Sequence, residues 1–168
     1  TMPVVVLNAD ADSFDQMIAN RLEPEIYSFR SLADFADAVS HAGETRYPVH
    51  IKLDTGMHRL GFMEGEIGRL CEVLPTLPAV KVASVFSHLN CADMPEEDAY
   101  TREQIARYDR MSAAVAASLP YSVIRHTANS AAIERFPEAR FDMCRLGLGL
   151  YGFGWEHNPG LRPVSTLK

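Results

Sequence analysis

Short β-branched runs alternate with segments of helical periodicity along this whole chain, and that rhythm constrains the fold more than any other feature. Val4-Val5-Val6 sits in a strand expected over 3–7, followed by Phe14, Met17, Ile18 and Leu22 at helical spacing behind a capping pattern at Ser13. A second strand is expected over 25–28. Ser31 then caps a helix with the apolar stripe Leu32, Phe35 and Val39. A third strand over 50–54 precedes Ile67, Leu70, Cys71 and Leu74, and a fourth covers 80–88. The next helix carries Ile105, Tyr108, Met111 and Val115 on one face until Pro120 stops it. Strands over 122–127 and 143–151 close the series. Strands and helices in strict alternation imply parallel βαβ units with right-handed crossovers.

Six such units suit either an open doubly wound sheet or part of a barrel. A nucleotide-binding doubly wound sheet carries a glycine-rich turn after its first strand. Here that turn is Asn8-Ala9-Asp10-Ala11-Asp12, without glycine. The polar residues gather instead at the C-terminal ends of strands three to six, where barrels build their sites. The expected class is therefore α/β, a partial (β/α)8 barrel. A complete one needs roughly 250 residues, and this chain has 168. It starts almost on a strand and stops at Lys168 in mid-pattern, so it is expected to be a piece of something longer. The barrel is assigned to 1–155, and 156–168 to a linker and the start of another domain.

A net charge of −6 without any Lys/Arg block argues against a nucleic-acid surface. Cys71, Cys91 and Cys144 are odd in number and far apart, which disfavours a disulfide framework or a zinc site and suits a cytoplasmic setting. No apolar stretch is long enough to span a membrane.

Several residues invite chemistry. Ser130, at a helix start after Asn129, offers a hydroxyl and backbone N–H groups to an anion, although an ordinary N-cap looks the same. Gly147-Leu148, one strand later, lies where barrels hold phosphate. Arg145 stands inside an apolar run and needs a partner, for which Asp142 or Glu138 would serve as a plain ion pair. His88 and His126, each at or near a strand end, could equally be packed core histidines. With Asp93 they suggest a metal-dependent hydrolase, but the HxH pair that chemistry uses is missing.

Lys52-Leu53-Asp54-Thr55-Gly56-Met57-His58-Arg59-Leu60-Gly61, Phe86-Ser87-His88-Leu89-Asn90-Cys91-Ala92-Asp93, Asn129-Ser130 and Arg145-Leu146-Gly147-Leu148 together resemble the alanine racemase family, in the family's order. The resemblance implies pyridoxal 5'-phosphate (PLP) as cofactor and numbers the strands here as three to eight, the first two βα units being absent. It implies that Asn129, Ser130 and the backbone at Gly147 and Leu148 grip the phosphate, Leu148 standing where isoleucine is common. Arg145 would face the pyridine nitrogen, with His88 beside the ring and His126 behind it. Lys52 matches a position carbamylated in some members. The anion so formed orients the arginine matched by Arg59, which contacts the phenolic oxygen and the substrate carboxylate.

Two family residues have no counterpart. The lysine that bonds PLP lies in a Lys-Ala-Xaa-Ala-Tyr-Gly motif, and Lys52, Lys81 and Lys168 all stand in other contexts. The catalytic tyrosine belongs to the second domain, so Tyr151 is core or rim, and Leu161-Arg162-Pro163-Val164 resembles that domain's first strand. The implied parent is a homodimeric enzyme interconverting L- and D-alanine for peptidoglycan, and this chain alone would be inactive. Residues 50–62 also resemble the racemase half of proteins fused to a peptidoglycan ligase. Another amino-acid racemase of the same barrel, or a PLP-binding barrel without catalysis, are the alternatives.

Overall fold

Each strand lies beside the one that precedes it in sequence, and every pairing is parallel. The computed structural model describes residues 2–164. The strands are β1 (Val5–Val6), β2 (Glu23–Ile26), β3 (Tyr47–Lys52), β4 (Val80–Phe86) and β5 (Ile124–His126). Between and after them come α1 (Phe14–Ala19), α2 (Phe29–His41), α3 (Ile67–Val73), α4 (Asp98–Ala117) and α5 (Ser130–Arg135). A doubly wound sheet reverses its strand order at a switch point. The unbroken order here is that of a barrel wall, so the fold is α/β and a partial (β/α) barrel.

Strict alternation in β3 separates two environments. Val49, Ile51 and Leu53 are fully buried in a core shared with Leu32, Phe35 and Val39 of α2 and Leu70 of α3. His50 and Lys52 point to the other face, the inside of the curved wall, where they meet Glu23 and Glu25 of β2. Burying a side chain such as Ile51 or Leu53 stabilises the fold by about 1.5–3 kcal/mol.

Local chemistry fixes the helix starts, in one case at a residue other than expected. Ser28, not Ser31, caps α2: the Ser31 N–H donates to Ser28 Oγ and the Ser28 N–H to Ser31 Oγ, both at 3.1 Å. Ser13 makes no side-chain cap at α1. Asp10 accepts from the Asp12 N–H in the short 3-10 turn before it.

The sixth strand expected over 143–151 does not form. Asp142 N–H donates to Arg125 O and Arg145 N–H to Ala128 O, so the chain follows the end of β5 for a few residues. It then turns at Gly147 into a 3-10 helix over Leu148–Tyr151. Glycine at 147, 149 and 152 leaves little side chain to pack on a sheet, and among the described residues no neighbouring strand pairs the far side. Arg145 is therefore a loop residue, not a strand residue. Tyr151 is 53% exposed. Residues 161–164 form no strand, and Ser165 to Lys168 lie outside the described residues.

Candidate functional site

A cavity of about 480 Å³ opens at the C-terminal ends of β4 and β5. Its walls include His88, Asn129, Ser130, Arg145, Gly147 and Leu148, which are the residues expected from sequence to hold a cofactor. A larger cavity of about 750 Å³ lies at the opposite ends of the strands, between Arg21, Glu23 and Arg46. Barrel chemistry is built at the C-terminal face, so the smaller cavity is the candidate.

Arg145 anchors it. Nη2 donates to Ser87 O at 2.6 Å and to Thr127 O at 3.2 Å, while Nη1 donates to His126 Nδ1 at 2.8 Å. His88 Nδ1 stands 3.4 Å from Nη2. Neither expected carboxylate pairs with it, because Asp142 accepts from the Arg125 N–H and Glu138 faces Arg102. The guanidinium is thus a cation held by neutral oxygens and an imidazole. Phe86 supports it from below, with His126 stacked on that ring at 5.1 Å and the Arg145 guanidinium 5.4 Å from its centre. Burial, then the Arg145 charge, pushes the His126 pKa down to about 3 and that of His88 to about 4. Both rings are neutral near pH 7.

On the other wall, Asn129 caps α5: its Oδ1 accepts from the Ala132 N–H at 3.0 Å. Ser130 Oγ accepts from the N–H groups of Gly147 and Gly149 at 2.9 and 3.1 Å. Two backbone donors from the loop after β5 therefore converge on one oxygen at the cavity edge.

Lys52 is only 7% exposed and pairs with Glu25 at 3.2 Å, its Nζ lying 4.5 Å over Phe86. Burial lowers its pKa and Glu25 works against that drop. Sequence reasoning missed Glu25. The available signal was the shared period of two, with Glu23 and Glu25 in one strand matching His50 and Lys52 in the next, which marks a polar inner face.

Arg59 is exposed at the tip of the loop after β3. That loop is built by its own residues: Asp54 Oδ1 accepts from the Gly56 and His58 N–H groups at 2.9 and 3.1 Å. At Gly61, φ is +130°, and a Cβ would stand 2.6 Å from Asp54 N. The loop returns there to bond Phe62 to β3, so only glycine fits. Lys52 and Arg59 thus flank one loop, but among the described residues no anion bridges them.

A family model for the alanine racemase N-terminal domain matches residues 1–154. The chain belongs to that family. The alanine racemase of Desulfovibrio desulfuricans is 36% identical over the whole chain, which spans 46% of that protein. The solved alanine racemase of Streptomyces coelicolor superposes with a TM-score of 0.87 at 26% identity, over 97% of this chain and 45% of that one. A Bartonella henselae alanine racemase, 24% identical with a TM-score of 0.80 over 97% of this chain and 44% of its own, was solved with covalently bound pyridoxal phosphate. This alanine racemase-family chain spans less than half the length of these curated and solved relatives. Within its barrel wall, Arg145, His88, Asn129, Ser130, Gly147 and Leu148 share one cavity, and Lys52 and Arg59 lie on the adjoining strand and loop.

Proposed function

We propose that this chain is the cofactor-holding part of a PLP-dependent alanine racemase, acting on alanine as a cytoplasmic homodimer that supplies D-alanine for peptidoglycan. The observation that carries the proposal is Arg145, a cation in the cavity wall with both terminal nitrogens committed to protein acceptors and, among the described residues, no carboxylate partner.

The donor set fits PLP. Among the described residues the Nε–H of Arg145 makes none of the guanidinium's bonds, and it is the group that would serve a ring nitrogen. A phosphate needs several N–H and O–H donors. The Ser130 hydroxyl hydrogen and the first amides of α5, left over once Asn129 serves Ala132, are of that kind, while the Gly147 and Gly149 N–H groups hold the Ser130 oxygen in place.

When bound, PLP withdraws electrons from the substrate Cα and makes its proton removable. Arg145, always protonated, donates to the pyridine nitrogen and keeps a proton off it, which limits that withdrawal and favours return of the proton over side reactions. His88, neutral, lies beside Arg145 and orients it without exchanging protons. Arg59 attracts the substrate carboxylate, and Lys52 supports the strand beneath. Racemisation needs a base on each face of Cα. We assign those to a lysine and a partner-subunit tyrosine outside these 168 residues, with a second domain following position 155.

Titration with PLP and with pyridoxal, which lacks the phosphate, tests the cradle by tryptophan fluorescence. PLP should bind more tightly, and Ser130→Ala should remove about tenfold of its affinity, the worth of one hydrogen bond to a charged group. Equal binding of the two compounds would contradict the assignment.

A further inference from the structure

Behind Arg145 a line of side chains crosses the inner face of the wall from one edge of the cavity to the far end of β2. His126 Nδ1 takes the Arg145 donor at 2.8 Å, and His126 Nε2 lies 3.0 Å from Ser84 Oγ. Ser84 Oγ lies 2.6 Å from His50 Nδ1, and His50 Nε2 lies 2.7 Å from Glu23 Oε2. His50, Ser84 and His126 are all buried.

The two ends of this line make the same demand. A guanidinium only donates, so His126 Nδ1 must be bare and the ring proton must sit on Nε2. That proton goes to Ser84 Oγ, whose own hydrogen must then turn to His50 Nδ1. His50 is left with its proton on Nε2, directed at Glu23, and a carboxylate only accepts. Every donor has an acceptor and every acceptor a donor, with a positive group at one end and a negative one at the other. With one proton on each ring, reversing any link would leave two hydrogens or two lone pairs facing each other. In a buried site that costs about 1–3 kcal/mol.

We propose that Glu23 is a positioning residue for Arg145, acting through His50, Ser84 and His126 to fix the proton order that keeps His126 Nδ1 an acceptor. The carboxylate lies outside the cavity and touches neither cofactor nor substrate. It polarises the chain of side chains so that the arginine is gripped from behind while its free edge faces the cavity. Hydrogen bonds in series strengthen one another, so loss of the carboxylate is felt at the other end. What Arg145 faces rests on the proposed function, but the proton order does not.

Nitrogen-15 spectra of the histidine rings report directly which nitrogen carries the proton. In the unliganded protein, His126 should be protonated on Nε2 with Nδ1 bare, and the His50 proton that faces Glu23 should sit on Nε2. Glu23→Gln should shift the His126 ring resonances, and in a Ser84→Ala background the same substitution should leave them unmoved. A proton on His126 Nδ1 overturns the proposal, and so does a Glu23→Gln effect on His126 that survives Ser84→Ala or never appears. If Glu23→Gln does not fold, the tautomers of the parent protein decide alone. No cofactor or turnover enters the measurement, so it fails or succeeds separately from the racemase assignment.

Discussion

Nη1 of Arg145 lies 2.8 Å from Nδ1 of His126, so a buried ring meets a cation on its unprotonated side. A protonated imidazole would point a second hydrogen at a guanidinium. Burial already disfavours that cation, and the arginine disfavours it further.

Stability should therefore fall on mild acidification. Both states carry neutral His126 above pH 6.5, the ordinary histidine value, and the contribution is complete there. Below it the unfolded chain takes up a proton that the folded chain refuses until pH about 3, so the loss grows between those limits. Its slope is about 1.4 kcal/mol per pH unit for one group. Urea unfolding between pH 7 and 4 should show it, and His126→Gln, which keeps an acceptor for Arg145, should remove about one proton's worth of slope. An unchanged slope would mean His126 is not held neutral.

Gly61→Ala should destabilise the chain by at least ~2 kcal/mol, since it combines a left-handed backbone with a clash against Asp54 N and Leu53 C. Gly43→Ala, with positive φ but nothing within 4 Å, isolates the backbone strain. Thermal melts of the two variants should rank Gly61→Ala as the worse. Equal losses would show that the loop does not close on β3 as described.

The isolated chain should self-associate. Val4, Val5 and Leu7 are 51%, 40% and 63% exposed along the free edge of β1, and Leu148, Leu150 and Phe153 are 69%, 63% and 51% exposed beyond β5. Open sheet edges flanked by apolar side chains pair with other chains. Sedimentation velocity across a range of concentration should show a rising weight-average mass, whereas a constant monomer would refute it.

The alternation of periods made the α/β class legible, while the turn without glycine after the first strand and the polar residues at the strand ends pointed to barrel order. What stayed hidden follows from two physical facts. Strand propensity depends on a neighbour, and the glycine-rich apolar run after Arg145 has a strand's composition but no partner to pair with. Polar residues in strands are normally solvent-facing, so the period of two shared by Glu23, Glu25, His50 and Lys52 marked an inner face without showing that these residues and Ser84 meet across it. Ser130, Gly147 and Arg145 could be singled out because a helix start, a glycine-rich turn and a lone charge in an apolar run are local signals, although their cofactor roles came from the family resemblance. The partners of Arg145 were not, because carbonyl oxygens and a histidine from two other strands leave no local trace.

Arg145→Glu in the complete enzyme tests the central claim most directly, by measuring alanine racemisation, pyridoxamine phosphate formation and unfolding on one preparation. A carboxylate at that position should stabilise a pyridine nitrogen protonated from solvent, so racemisation should fall while conversion of alanine to pyruvate, with pyridoxamine phosphate, rises in proportion. A folded, PLP-loaded variant that racemises normally and forms no pyridoxamine phosphate would contradict the role given to Arg145.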